Sequence, residues 1–132
     1  MSATLAPEAP PTLVLDPNSE APSLARRFLA DLFAEWGIED DYIGRVVVCE
    51  LVTNSFQHGE GQIIVRIFRD EHDGRPVIEV WDAGEGKPEI QPENYAAESG
   101  RGLLLMTELV HDWGVRPLNE GGKVVWAQLN HP

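Results

Sequence analysis

A chain of 132 residues, 42% hydrophobic and 24% charged, suits one domain built around one core. Its formal net charge is −12, from 22 Asp+Glu against 10 Lys+Arg. That balance argues against nucleic acid, which needs a basic face to displace counterions. It argues equally against anionic membranes, and it suits a basic protein partner.

Residues 1–11 are proline-rich and offer little for a core, so they read as a disordered tail before a domain over 12–132. The start, MSATLAPEAPPT, lacks the basic and apolar stretches of a secretory signal. No apolar run nears the ~18 residues needed to span a bilayer. The expected location is cytoplasmic. The single cysteine, Cys49, cannot form an internal disulfide. Within VVVCELV it reads as a small buried hydrophobe.

TLVLD (Thr12 to Asp16) predicts a short strand, and Asp16-Pro17-Asn18 a turn. Leu24, Phe28, Leu32 and Trp36 then recur at helical spacing, with Leu29 and Phe33 widening the stripe. Gly37 stops this helix. A second helix is expected from Asp40 or Asp41 to about His58, with Ile43, Val46, Val47 and Leu51 facing the core. Valines 46–48 are mediocre helix formers, but the period and the length favour helix. Gln62 to Asp70 and Arg75 to Asp82 alternate across a linker containing Asp73-Gly74, which predicts an antiparallel hairpin. Residues 83–99 form a long loop of the kind that carries function. A third helix is expected from Gly102 to about His111, then strands at 112–116 and 123–129. Strands in adjacent pairs imply an α+β fold. The expected form is a two-layer sandwich whose mixed or antiparallel sheet carries helices on one face.

Three stretches carry chemistry. In ELVTNSFQHG, Glu50 and Asn54 are four apart on a helix and share a face, and a further step of four reaches His58. Burying such groups unpaired costs roughly 1–3 kcal/mol each, so a water, metal or polar ligand is the natural partner; a solvated polar stripe is the bland alternative. In VIEVWDAGEGKP, a strand ends at Asp82, with Gly84 and Gly86 following. A carboxylate there can accept a hydrogen bond from an exocyclic amine, and the glycines permit close approach; an ordinary Asp/Gly turn is the alternative. In ESGRGLLLM, Gly100 and Gly102 open a helix whose N-terminus suits phosphate. There is no Walker-type string and no GxGxxG after a first strand.

ELVTN, DxGxG at 82–86 and GxG at 100–102 stand in the order seen in GHKL ATPases. ELVTNSFQHG, GRGLLLMTELVHDWGV and GGKVVWAQL resemble the stand-alone anti-sigma-factor serine kinases of that superfamily, which have the Bergerat ATP-binding fold. The resemblance covers roughly residues 12–130. It implies ATP and Mg²⁺ as cofactors. It implies that Asn54 holds the metal that bridges the phosphates and that Glu50 orients or deprotonates the attacking hydroxyl. Asp82 would bind the adenine amine, with Gly84 and Gly86 shaping that wall. Gly100, Arg101, Gly102 and the helix start at Leu103 would close over the phosphates, with His58 near the nucleotide.

Two departures stand out. Val124 stands where the family commonly has a threonine that helps bind adenine; losing a hydroxyl predicts binding weaker by about 0.5–1.5 kcal/mol. The segment 82–99 sets five acidic residues against Lys87 alone, which repels a polyphosphate; Arg101 is the local counter-charge. The histidines and Cys49 have no zinc-ligand spacing.

The function implied is an ATP-binding anti-sigma factor with serine/threonine kinase activity toward an anti-sigma-factor antagonist. Its partners would be that antagonist, a sigma factor and, for some such regulators, a second copy in a homodimer. The alternative is a non-catalytic protein-binding module on the same fold. A detached histidine-kinase catalytic domain fits less well, because residues 1–36 contain no phosphoacceptor histidine.

Overall fold

The computed structural model describes residues 10–84 and 106–130. In chain order they form β1 (Thr12–Leu15), α1 (Ala21–Glu35), α2 (Tyr42–His58), β2 (Ile63–Arg69), β3 (Pro76–Asp82), β4 (Asp112–Pro117) and β5 (Lys123–Gln128). Residues 106–109 are also helical, and the expected start of that third helix lies outside the described residues. The sheet runs β1-β2-β3-β5-β4, with every pair antiparallel. This is the α+β sandwich expected from the sequence, with an antiparallel rather than a mixed sheet.

Alternation decides which strand side chains face the helices. Ile63, Val65 and Ile67 of β2, Ile78 and Val80 of β3, and Val125 and Ala127 of β5 share one core with α1 and α2. The opposite face carries polar and aromatic cross-strand contacts. The Arg66 guanidinium lies 4.6 Å from the ring centre of Trp81, and Arg116 reaches Glu79 at 3.5 Å. The β2–β3 turn is fixed by its own aspartates: His72 N donates to Asp70 at 2.8 Å and Arg75 N to Asp73 at 2.9 Å. Side-chain acceptors of this kind replace the backbone partners that a turn leaves unmet.

The helices differ from expectation in rotation rather than in place. In α1 the buried residues are Ala21, Ala25, Leu29, Leu32 and Phe33, while Leu24 is exposed. The small alanines let the helix lie close to its neighbours, which turns the Leu24 edge outward. Trp36 is only half-buried and packs on Phe33, ring centres 5.7 Å apart. In α2 the buried set is Gly44, Val47, Val48, Leu51, Val52, Asn54 and Ser55. Val46 is half-buried and lines a surface cleft instead.

Residues 1–9 lie outside the described residues. Pro11 O already accepts a hydrogen bond from Ile67 N at 3.3 Å, so the chain joins the sheet just before β1. Among the described residues no helix is long and apolar enough to cross a membrane.

Candidate functional site

The last turn of α2 meets the end of β3. Ser55 Oγ donates to Asp82 Oδ2 at 2.7 Å, and Ala83 N donates to Glu60 O at 3.0 Å. Asp82 Oδ1 accepts from Gly84 N at 2.8 Å and from Lys123 Nζ at 3.0 Å. The Asp82 side chain is 0% exposed and that of Lys123 3%. A buried carboxylate is tolerable only when it is paired and hydrogen-bonded, and here three donors meet that condition.

Glycines make room for this carboxylate. A Cβ on Gly59 would sit 2.6 Å from Asp82 Cγ and 2.7 Å from Ser55 O. Gly122, at φ +89°, would place one 2.5 Å from Asp82 O. Gly59→Ala is therefore expected to destabilise by about 1–3 kcal/mol, the usual cost of overpacking a filled site. Gly59 has an ordinary extended backbone, φ −93°, so the cost is purely steric. Denaturant unfolding checks it.

Asn54 sits one residue before Ser55, at the same junction. It is 2% exposed, and among the described residues neither its Oδ1 nor its Nδ2 has a hydrogen-bond partner. Native structures rarely leave both ends of a buried amide unmet. The amide oxygen is a hard donor of the kind Mg²⁺ takes, and that ion is usually held by few protein groups together with phosphates. Among the described residues there is no cluster of three or more His, Cys, Asp or Glu that could hold a metal. The buried amide oxygen therefore fits a place on Mg²⁺ shared with a polyphosphate.

Glu50 lies one helical turn earlier and is half-buried. It lines an open cleft of about 180 Å³ with Arg26, Tyr42, Arg45 and Cys49. Burial pushes its carboxyl above the ordinary range, because desolvation penalises the charged form. A raised folded-state pKa means that the native protein holds the proton longer than the unfolded chain. Stability from this group is then full at low pH and is lost as pH rises through the folded value. Glu50→Gln is therefore expected to be more stable than the parent at neutral pH, with the gain fading below the usual carboxylate range. Unfolding curves at the two pH values test this.

His58, in the last turn of α2, is exposed. Successive steps of four rotate around the helix, so Glu50 is half-buried, Asn54 buried and His58 on the surface. Gly84 lies against Asp82, its N–H on Oδ1 at 2.8 Å. Gly86, Gly100, Arg101, Gly102 and Leu103 lie outside the described residues. Cys49 is half-buried rather than enclosed, and Arg26 Nη1 donates to its sulfur at 3.1 Å. An apolar cleft lined by Phe33, Ile43 and Gly44 lies toward the other end of α2.

Lys123 and Val124 fall on opposite faces of the sheet. Val124 pairs with Trp81, whereas Lys123 pairs with Asp82, so alternation turns the Val124 side chain to the opposite face of the sheet. The residue that faces Asp82 is Lys123. A valine for threonine at 124 therefore removes no hydroxyl from Asp82, and Lys123 neutralises the first of the acidic residues counted against a polyphosphate. Sequence reasoning missed Ser55 and Lys123 as parts of the site. Their available signals were a serine directly after Asn54 and a lysine opening an otherwise apolar strand after two glycines.

An antiparallel sheet backed by helices, with a helix-borne amide beside a strand-end carboxylate, defines the class of fold. The model for the histidine kinase-like ATPase domain matches residues 15–129, and the chain belongs to that family. Among solved structures, the RsbU and RsbW domains of Rv1364c from Mycobacterium tuberculosis share its fold, with a TM-score of 0.66 at 22% identity. That alignment covers 96% of this chain and 34% of the other, so this chain spans about a third of that protein's length. No curated protein matches.

Proposed function

We propose that the chain binds ATP with Mg²⁺ and acts as an anti-sigma factor. In this reading it phosphorylates a serine or threonine of an anti-sigma-factor antagonist and so switches partners in transcription control, in the cytoplasm. The observation that carries the reading is the buried Asn54 amide, neither end of which is satisfied among the described residues. The family's ATPase fold and the likeness to a structure containing an RsbW domain support it.

The residues divide the work. Asp82 takes the adenine amine, beside Gly84 and Gly86. Asn54 Oδ1 holds the ion, which when bound offsets charge on the phosphates. Gly100, Arg101, Gly102 and Leu103, which lie outside the described residues, are assigned to the phosphates, and His58 lies near the nucleotide. Glu50 orients the attacking hydroxyl and accepts its proton as the oxygen takes the γ-phosphoryl group and ADP leaves. Burial raises the Glu50 carboxyl, which makes it a better proton acceptor than an ordinary carboxylate. Transfer should fall as pH drops through that raised value.

The test is direct. Purified protein, ATP-Mg²⁺ and the antagonist should yield phosphoserine or phosphothreonine, and Glu50→Ala should abolish it. Transfer that persists undiminished in Glu50→Ala would overturn the role given to that carboxylate. One observation favours the non-catalytic reading: the Asp82 side chain is wholly enclosed by its own protein partners. In that case the ion pair is a structural anchor and the surface a docking face. Titration with ATP-Mg²⁺ separates the two, since a docking module releases no binding heat.

A further inference from the structure

The outer face of the sheet, turned away from α1 and α2, has a construction of its own. Phe68, Val77 and Val124 are buried there, yet none belongs to the main core cluster. Two cross-strand rows run over this face. In one, Arg66, Glu79, Trp126 and Gly114 are successive partners. In the other, Ile64, Trp81, Val124 and Arg116 are. The indoles, Ile64 and both arginines are half-buried, and Val14, next to Ile64, is 53% exposed. Gly114 leaves room for the Trp126 indole to lie across β4, since a Cβ there would sit 2.9 Å from its Nε1.

This face is rich in unmet donors and poor in open acceptors. The Arg66 guanidinium stacks on Trp81 at 4.6 Å, and its Nε is buried. Among the described residues it has neither a hydrogen-bond partner nor an ion pair, and Trp126 Nε1 has no partner either. Glu79, the carboxylate in the middle, is 4% exposed on its side chain and already accepts from Trp81 Nε1 at 3.3 Å and Arg116 at 3.5 Å. Asp112 stands at the edge strand and accepts from Trp113 N at 2.9 Å. Arg66 and Arg116 both reach inward, so two cations stand beside one pair of indoles. Trp and Arg are the side chains that carry most energy at protein interfaces, and guanidiniums with open donors are met best by carboxylates. On a chain of net charge −12, such a patch is complementary to acid. A second copy joined face to face would set these arginines against one another with no open carboxylate to meet them.

We propose that the outer sheet face docks an acidic amphipathic helix of a protein partner. Its apolar stripe lies on Ile64, Trp81 and Trp126, and its bordering carboxylates meet Arg66 and Arg116. A helix is the element that brings an apolar stripe with charged borders to a sheet face. The inference does not depend on the nucleotide reading, because alternation puts Asp82 on the helix side of the sheet.

The experiment follows the anisotropy of two labelled synthetic helices as the protein is added. Both carry the same leucine stripe, bordered by glutamates in one and by glutamines in the other. The parent protein should bind the glutamate helix at least about ten-fold more tightly, with a margin that shrinks as salt is added. Arg66→Gln/Arg116→Gln should lose that preference, and Trp126→Ala should weaken both helices at least about ten-fold. Equal binding of the two helices by the parent, or a preference that survives in the double arginine variant, overturns the proposal. So does a parent dimer in sedimentation that Trp126→Ala breaks, which would give the face to a second copy. Should a variant fail to fold, the comparison of the two helices on the parent protein still decides.

Discussion

Asn54→Leu is expected to make the free protein more stable while ending its ability to bind ATP-Mg²⁺. The side chain is buried, and both its polar atoms lack partners among the described residues. An unsatisfied buried polar group costs roughly 1–3 kcal/mol. Leucine has nearly the same shape and no polar atoms, so the substitution should raise the unfolding free energy by about that amount. Denaturant unfolding should show a higher midpoint with an unchanged slope, the signature of altered stability at constant compactness. A stability gain together with a loss of binding is the mark of a residue kept for a ligand. A stability loss would mean that the amide is held by the protein itself.

Asp82→Asn is expected to act in the opposite direction. It removes the charge facing Lys123, which is 3% exposed and has no other acceptor among the described residues. Breaking one partner of a buried pair strands the other, at a cost of about 3–5 kcal/mol. Lys123→Met should cost a similar amount for the mirror reason. The double variant Asp82→Leu/Lys123→Met should be much less destabilised than the sum of the singles, because no uncompensated charge remains. Additive losses would show that the two groups are not coupled.

The sequence carried the architecture because its periods are clear. The β2–β3 hairpin follows from alternation around Asp73-Gly74, and α2 from a period that outweighs three mediocre valines. What it hid was rotation. Leu24 looked like core by spacing, yet Ala21 and Ala25 take the inward face because small residues permit closer packing. Asn54 is legible as an amide beside an apolar helix face, and Asp82 as a strand-end carboxylate followed by Gly84 and Gly86. Ser55 and Lys123 are not, since a serine in a helix and a lysine at a strand end are ordinary on a surface. Only the register of β3 against β5 shows that Lys123, not Val124, faces the carboxylate. A one-residue step along a strand exchanges the two faces of a sheet, and a single sequence does not fix that step.

The central claim is that Asn54 and Asp82 hold the two ends of one nucleotide. Calorimetric titration of the parent and of Asn54→Leu with ATP, each with and without Mg²⁺, tests it most directly. The predicted result is saturable binding by the parent that strengthens with the metal and disappears in Asn54→Leu. Identical heats for the parent and Asn54→Leu, or no heat from the parent at all, would contradict it.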